Sequence, residues 1–194
     1  MPFDRVVGVV GLHAAGNDAV RELLERKLPA AGFVTSDCVR EEAAARGLPP
    51  TRDNLYRVAN EGRAKEGGGV WARRAWEKLE GSPERYAVIG GIRSPAEVET
   101  LRRLSDGRFV LIAVTAPLEV RWRRARARGR PGEGEISIED FRAHEERELV
   151  GGPDQQDIAG ALAMADRRLE NDGTLGDLER KVDALVAELR KGER

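Results

Sequence analysis

The chain is short of the residues on which several kinds of site depend. Its single cysteine, Cys38, has no partner of its kind, which excludes a disulfide framework and fits a reducing compartment. The expected role of Cys38 is that of a small buried apolar residue. With only two histidines, His13 and His144, the sequence holds no His/Cys cluster for zinc and no serine–histidine pairing for a hydrolase triad. No apolar run approaches the ~20 residues that span a bilayer, and no basic segment followed by a long apolar stretch opens the sequence. A cytoplasmic protein without a membrane partner is the expectation. An excess of one charge is lacking as well. The 33 Lys and Arg face 34 Asp and Glu, whereas nucleic-acid domains are usually basic overall, so a nucleic-acid partner is not favoured. Aromatics are scarce, and Trp71, Trp76 and Trp122 read as packing residues on amphipathic helices rather than stacking platforms. The 194 residues are enough for one domain, residues 1–194, with a sizeable core.

Apolar runs recur between longer helical patterns: Val6 to Val10, Phe33 to Thr35, Tyr86 to Ile89 and Phe109 to Thr115. A more polar edge strand is expected around Arg168 to Glu170. Continuous rather than alternating runs mark strands covered on both faces, and their alternation with helices marks βαβ units and a parallel sheet. Helices are expected near 17–29, 36–46, 52–65, 68–80, 95–104, 117–128, 137–149 and 174–190. Ser94 before Pro95 gives an N-cap with proline at the first helical position, and Glu97 adds early negative charge. Thr51 with Asn54 starts another helix, which Gly67-Gly68-Gly69 separates from the next. The predicted fold class is α/β.

The most specific pattern lies at the first strand. Val6 to Val10 runs into Gly11-Leu12-His13-Ala14-Ala15-Gly16-Asn17-Asp18, and a helical pattern follows at once. Strand, glycine-rich turn and helix N-terminus are the context of a phosphate-binding P-loop, G-x-x-x-x-G-K-[ST]. Gly11 and Gly16 keep the spacing, and backbone N–H groups at a helix start hold anions well. Residues Gly11, His13, Ala14, Ala15, Gly16, Asn17 and Asp18 are therefore the candidate nucleotide-phosphate site. The plainer alternatives are a tight turn that binds nothing, a helix-capping Asn17 and an exposed loop histidine at His13.

Further motifs extend over nearly the whole length: Ser36-Asp37-Cys38-Val39-Arg40, Arg46-Gly47-Leu48-Pro49, Asn60 with Arg63, Gly91-Ile92-Arg93-Ser94-Pro95, an arginine-rich run from Arg121 to Arg130, and Asn171-Asp172-Gly173-Thr174. With the loop, they resemble the P-loop nucleoside monophosphate kinase group, in its dephospho-CoA-kinase-like or adenylate-kinase-like branch. The resemblance implies a three-layer α/β/α fold with about five parallel strands. It also implies an acceptor-binding helical segment at about 36–80 and an arginine-rich lid at about 121–150. By the same resemblance Asp37, Arg40, Asn60, Arg63 and Arg93 approach the acceptor, with Arg63 and Arg93 as bidentate phosphate forks. Arg93, Arg124 and Arg128 stand as catalytic candidates, and Asn171 and Gly173 lie near the donor base. ATP and Mg are the implied cofactors, with Asp18 as the candidate Mg ligand. A nucleotide or another phosphorylated small molecule is the implied partner.

Two departures bear on that expectation. The family carries lysine where this chain has Asn17, and an acidic residue before Gly-Ile-Arg where this chain has Gly90. Phosphoryl transfer rests mostly on positioning and charge stabilisation. A hydrogen bond to a charged group is worth roughly 1.5–3 kcal/mol, so losing the lysine costs about one to two decades before transition-state effects. An ionised Asp18 at ~4 Å from a phosphate charge adds roughly 4 kcal/mol of repulsion at an effective dielectric near 20. Aspartate is also a hard oxygen ligand and can hold magnesium directly. Impaired or absent transfer is the leading expectation. An active atypical phosphotransferase is the second, and an interaction module using the basic helix 121–130 on an anionic partner such as RNA is the third.

Overall fold

A computed structural model describes residues 3–129, 133–152 and 155–191. The order of elements is β1 (Arg5–Gly11), α1 (Asn17–Lys27), β2 (Ala30–Val34), α2 (Thr35–Ala45), α3 (Arg52–Glu66), α4 (Val70–Leu79), β3 (Tyr86–Gly90) and α5 (Pro95–Leu104). Then follow β4 (Phe109–Thr115), α6 (Leu118–Arg128), α7 (Ile138–Leu149), α8 (Ile158–Ala163), β5 (Arg167–Glu170) and α9 (Leu175–Lys191). All paired strands are parallel, in the order β2-β3-β1-β4-β5.

The continuous apolar runs form the middle of a sandwich because both sheet faces are covered. Side chains alternate across the sheet, so Val6 and Val10 enter one layer and Val7 and Val9 the other. The first layer packs with Trp76, Val98, Leu101 and Ile158 of α4, α5 and α8. The second packs with Val20, Leu24, Val182 and Val186 of α1 and α9. This is the three-layer α/β/α arrangement with five parallel strands. A satellite core of Cys38, Val39, Ala43, Val58, Val70 and Trp71 holds α2, α3 and α4 together beside β2. Among the described residues no helix is long and apolar enough to cross a membrane.

Local chemistry set several boundaries as the sequence implied. Thr51 Oγ1 accepts from Asn54 N at 3.3 Å, and Ser94 Oγ accepts from Glu97 N at 3.4 Å with Pro95 in the first turn. Other boundaries moved. The second strand is Ala30–Val34 rather than Phe33 to Thr35, and Thr35 already opens α2. Its first residues, Ala30, Ala31 and Gly32, have little intrinsic strand preference; pairing with β3 makes them a strand. The short α8 was not expected. Six residues are too few for a helical period, and its start is set by Asp157, whose Oδ1 accepts from Gly160 N at 2.8 Å. Arg130, the end of the arginine run, lies outside the described residues.

Helix α3 lies close against α4 because Gly62 has no side chain. A Cβ there would sit 2.4 Å from Trp71 Cζ2, and Trp71 is buried with its Nε1 donating to Ala59 O at 3.0 Å. The ring is rigid, so it cannot yield as a flexible side chain would. Gly62→Ala is expected to destabilise the protein by about 1–3 kcal/mol through overpacking. A urea titration checks this, and an unchanged midpoint would mean that α3 and α4 separate at little cost.

Candidate functional site

The loop after β1 is built by its own side chains. Gly16 has φ +103°, a left-handed conformation that favours glycine, and Ala14 also turns through positive φ. Ala15 N donates to Leu12 O at 3.1 Å. Asn171, buried at the end of β5, donates its Nδ2 to Ala15 O at 2.8 Å, while its own N donates to Thr115 O at 2.7 Å. Asn17 folds back across the turn, and its Nδ2 donates to Gly11 O at 2.9 Å and Leu12 O at 3.3 Å. Its Oδ1 is buried without a partner. The two motif glycines are needed for these approaches. A Cβ on Gly11 would stand 2.1 Å from Asn17 Oδ1, and one on Gly16 would stand 2.1 Å from Asn171 Nδ2. The turn thus leads straight into a helix start, where unpaired backbone N–H groups favour anions in general, with an amide where the motif has an ammonium.

Asp18 is exposed in the first turn of α1, where a negative charge suits the helix dipole. Among the described residues no group of three His, Cys, Asp or Glu side chains could hold a metal. Asp18 is thus a single carboxylate, which suits a magnesium ion carried in by phosphates rather than an all-protein cage. The third-strand position that is acidic in the resemblance, Gly90, lies under Arg21: a Cβ there would meet Arg21 Cδ at 3.0 Å. Arg21 Nη1 in turn donates to Glu25 Oε1 at 2.5 Å.

Beside the loop opens a cavity of about 760 Å³ between α2, α3, the β3–α5 turn and α7. Its wall includes a dry ion pair. Arg63 Nη2 donates to Glu97 Oε1 at 3.1 Å, with side chains 2% and 0% exposed. Glu97 Oε2 accepts from Arg93 N at 2.7 Å, and Arg63 Nη1 donates to Asn60 Oδ1 at 3.3 Å. Arg63 Nε has no partner. Arg93 Nη1 donates to Glu148 Oε2 at 2.9 Å and Gln156 Oε1 at 3.0 Å, and Arg52 Nη2 donates to Glu148 Oε1 at 2.7 Å. Burial acts to raise the Glu148 pKa, but Arg93 and Arg52 together hold it below the usual carboxylate value.

Helix α7 lies over this cavity and is tied to α6. Arg121, buried, binds Glu145 through both terminal nitrogens and donates its Nε to Ala116 O at 2.9 Å. Arg128 Nη2 reaches Glu133 Oε2 at 2.9 Å. His13 Nε2 lies 2.8 Å from Glu133 Oε1 and 3.1 Å from Arg128 Nη2. One ring nitrogen cannot donate to the carboxylate and accept from the guanidinium at once, so the tautomer selects between them. Burial is the largest influence on His13 and holds its pKa below the ordinary value, against the pull of Glu133.

No family model matches the sequence. A UPF0200 protein of Methanothrix thermoacetophila is 37% identical over 188 residues, which cover 95% of this chain and 98% of that protein. A UPF0200/UPF0201 protein of Archaeoglobus fulgidus is 36% identical over 189 residues, 96% of this chain, and the chain spans 56% of that protein's length. The chain belongs to the UPF0200 family. Among solved structures, a shikimate kinase from Bacteroides thetaiotaomicron matches with a TM-score of 0.60 at 14% identity, over 96% of this chain and 98% of that one. A gluconokinase from Sinorhizobium meliloti matches with a TM-score of 0.58 at 16% identity, over 99% and 97%. The UPF0200 chain therefore has a kinase-like P-loop fold.

The candidate residues separate into groups. His13, Arg40, Arg63 and Arg93 line the cavity. Asp37 and Asn60 do not; Asp37 is half-exposed and accepts from Arg40 Nη1 at 2.6 Å. Arg124 and Arg128 lie outside the cavity lining, and Arg124 Nη1 donates to Asn171 O at 2.9 Å. The Asn171 side chain is committed to the loop, and Gly173 sits against Asp177. His13 is more covered than an exposed loop histidine, with 28% of its side chain exposed. By the resemblance, Arg52 belongs to the acceptor segment, Glu97 to the turn after the third strand, and Glu145, Glu148 and Gln156 to the motifs that follow the lid. Sequence reasoning gave none of them an individual role and did not single out Glu133. Arg52, Glu97, Glu145, Glu148 and Gln156 work through partners far along the chain, and only Glu97, in register with the Ser94 cap, carried a local signal of its own. The side chain of Arg147 lies outside the described residues.

These ionisations make stability pH-dependent in one direction. A depressed histidine pKa favours the neutral ring in the fold, so its contribution is full above the ordinary value of 6.5 and is lost as pH falls below it. A depressed carboxylate contributes above its ordinary 4.5 and loses that contribution as pH falls through its lower folded value. The melting temperature is expected to drop in two stages on acidification. His13→Gln should flatten the stage below pH 6.5, and Glu148→Gln should reduce the one below 4.5. A His13→Gln profile with the same slope would contradict the reading. Breaking the dry pair by Glu97→Ala is expected to cost about 3–5 kcal/mol in a denaturant titration, because it leaves a buried cation unpaired.

Proposed function

We propose that this protein binds a nucleotide or another phosphorylated small molecule at its P-loop and transfers phosphoryl groups poorly or not at all. The observation that carries this reading is the orientation of Asn17. Its amide satisfies the carbonyls of Gly11 and Leu12 rather than extending toward a ligand, and it carries no charge to follow a migrating phosphoryl group. Two further features support it. Asp18 offers one carboxylate without an acidic partner at Gly90, and Arg21 covers that position. The backbone cradle remains, with the glycines required by Asn17 and Asn171. Cradle without lysine describes a site for binding more than for chemistry. ATP fits the cradle through backbone N–H groups, while Mg would have to arrive with the nucleotide.

A second reading, an active atypical nucleoside monophosphate kinase or dephospho-CoA-kinase-like phosphotransferase, draws support from the acceptor side. Arg40, Arg63 and Arg93 line one cavity next to the loop, and Asp18 would then hold the magnesium. The third reading, an RNA-binding module, gains little. Arg121, Arg124 and Arg128 are engaged by Glu145, Asn171 and Glu133 and are not offered together to a partner.

Single-turnover assays with ATP and either nucleoside monophosphates or dephospho-CoA test the leading reading. Rates far below the ~1–100 per second typical of kinases are expected, and a rate in that range would overturn it. Asn17→Lys is expected to tighten ATP binding about tenfold, the worth of one charge-assisted hydrogen bond. Affinity unchanged by that substitution would mean that the loop does not meet the phosphates.

A further inference from the structure

We propose that Arg52 and Arg93 form a subsite for the anionic group, a phosphate or a carboxylate, of the small molecule that the cavity takes, and that Glu148 is the chain's own occupant of that subsite, displaced when the ligand enters. The proposal rests on reading the cavity as a small-molecule pocket, though not on any phosphoryl transfer.

The two guanidinium groups come from separate elements, the start of α3 and the β3–α5 turn, and both line the cavity. They meet across one carboxylate supplied by a third element. Glu148 Oε1 takes Arg52 at 2.7 Å and its Oε2 takes Arg93 at 2.9 Å. Two like charges aimed at one point make an anion site, and a carboxylate bridging them has the bidentate geometry of a phosphate or carboxylate ligand. The Arg93 half of the site does not need Glu148 for its position. Arg93 is held independently, with its backbone N on Glu97 and its Nη1 on Gln156.

Glu148 is suited to leaving. It sits in the last turn of α7, one residue before the helix ends at Leu149, and side-chain rotation alone can free the arginines. Without it, the remaining acidic groups of the lining are each engaged elsewhere: Glu97 by Arg63, Glu145 by Arg121 and Glu133 by Arg128. The pocket would then have Arg52 and Arg93 uncompensated, beside a buried Arg63 Nε that lacks an acceptor. Leu55, Tyr56, Phe141 and Ile158 give the same cavity an apolar flank. The ligand class is a small molecule with one anionic end and an apolar or ring-bearing body.

An internal occupant lowers the apparent affinity of any competing ligand by the fraction of time the site is free. The test titrates inorganic phosphate, followed by ³¹P line broadening and by thermal shift, into the wild type, Glu148→Gln, and Glu148→Gln combined with Arg52→Ala. The expected result is that Glu148→Gln binds phosphate about tenfold more tightly than the wild type and that the added Arg52→Ala abolishes the gain. Equal binding in the wild type and Glu148→Gln would overturn the proposal. So would a gain that survives Arg52→Ala, which would locate the phosphate elsewhere, for instance at the loop. Should Glu148→Gln fail to fold, Glu148→Asp keeps the charge but shortens the reach by one methylene. It is expected to bind phosphate more tightly than the wild type, and no change there would count against the subsite. ATP titrated into the same proteins reports on the loop. Loss of ATP binding with the phosphate pattern intact would overturn the proposed function alone, and the reverse would overturn the subsite alone.

Discussion

The ion pair between Arg63 and Glu97 is the interaction on which the site side of the molecule depends. Both side chains are fully out of water, and charges in that position persist only if each satisfies the other and neighbouring donors complete the set. Glu97 does this with one oxygen on Arg63 and the other on the backbone N of Arg93. The pair therefore ties α3 to the turn after β3 and fixes the backbone of Arg93, which lines the cavity. Its cost is tolerated because the elements it joins are already packed by Trp71 and Val98 on either side. Loss of either charge would release the wall of the pocket as well as weaken the fold.

The loop after β1 shows a different economy. In a P-loop the lysine serves the ligand. Here the corresponding Asn17 serves the loop, closing the turn by binding its own carbonyls. Asn171 does the same from behind, donating to Ala15 O. The turn thus has internal support that does not depend on a bound nucleotide. The two positions that supply charge for transfer in the resembling kinases are occupied here by an amide and by bare backbone under Arg21. On the proposed reading, shape is retained at this site while charge is withdrawn.

Much of the fold was legible because buried parallel strands read as continuous apolar runs and because Thr51, Ser94 and Pro95 signal helix starts by local hydrogen bonding. Strand β2 was read too late because Ala30, Ala31 and Gly32 become a strand only through pairing with β3. The loop motif was also legible, since glycine spacing between strand and helix is a local property. The cavity was not. Arg63 was read as a phosphate fork from the match of its spacing to the resembling family; its ion pair with Glu97, 34 positions along the chain, has no local signal. Asn171 was read by resemblance as near the donor base; that its amide also closes the loop from 156 positions away had no local signal. Spacing along the chain reports what a residue does to its own turn or helix, and the charges of this site work across elements.

The central claim is that the loop binds phosphate through backbone shape without the charges for transfer. Calorimetric titration with ATP, with and without magnesium, tests it most directly. The account expects weak binding that is insensitive to magnesium. Tight binding that requires magnesium would contradict it, because it would mean that Asp18 restores a working metal site despite the glycine at position 90.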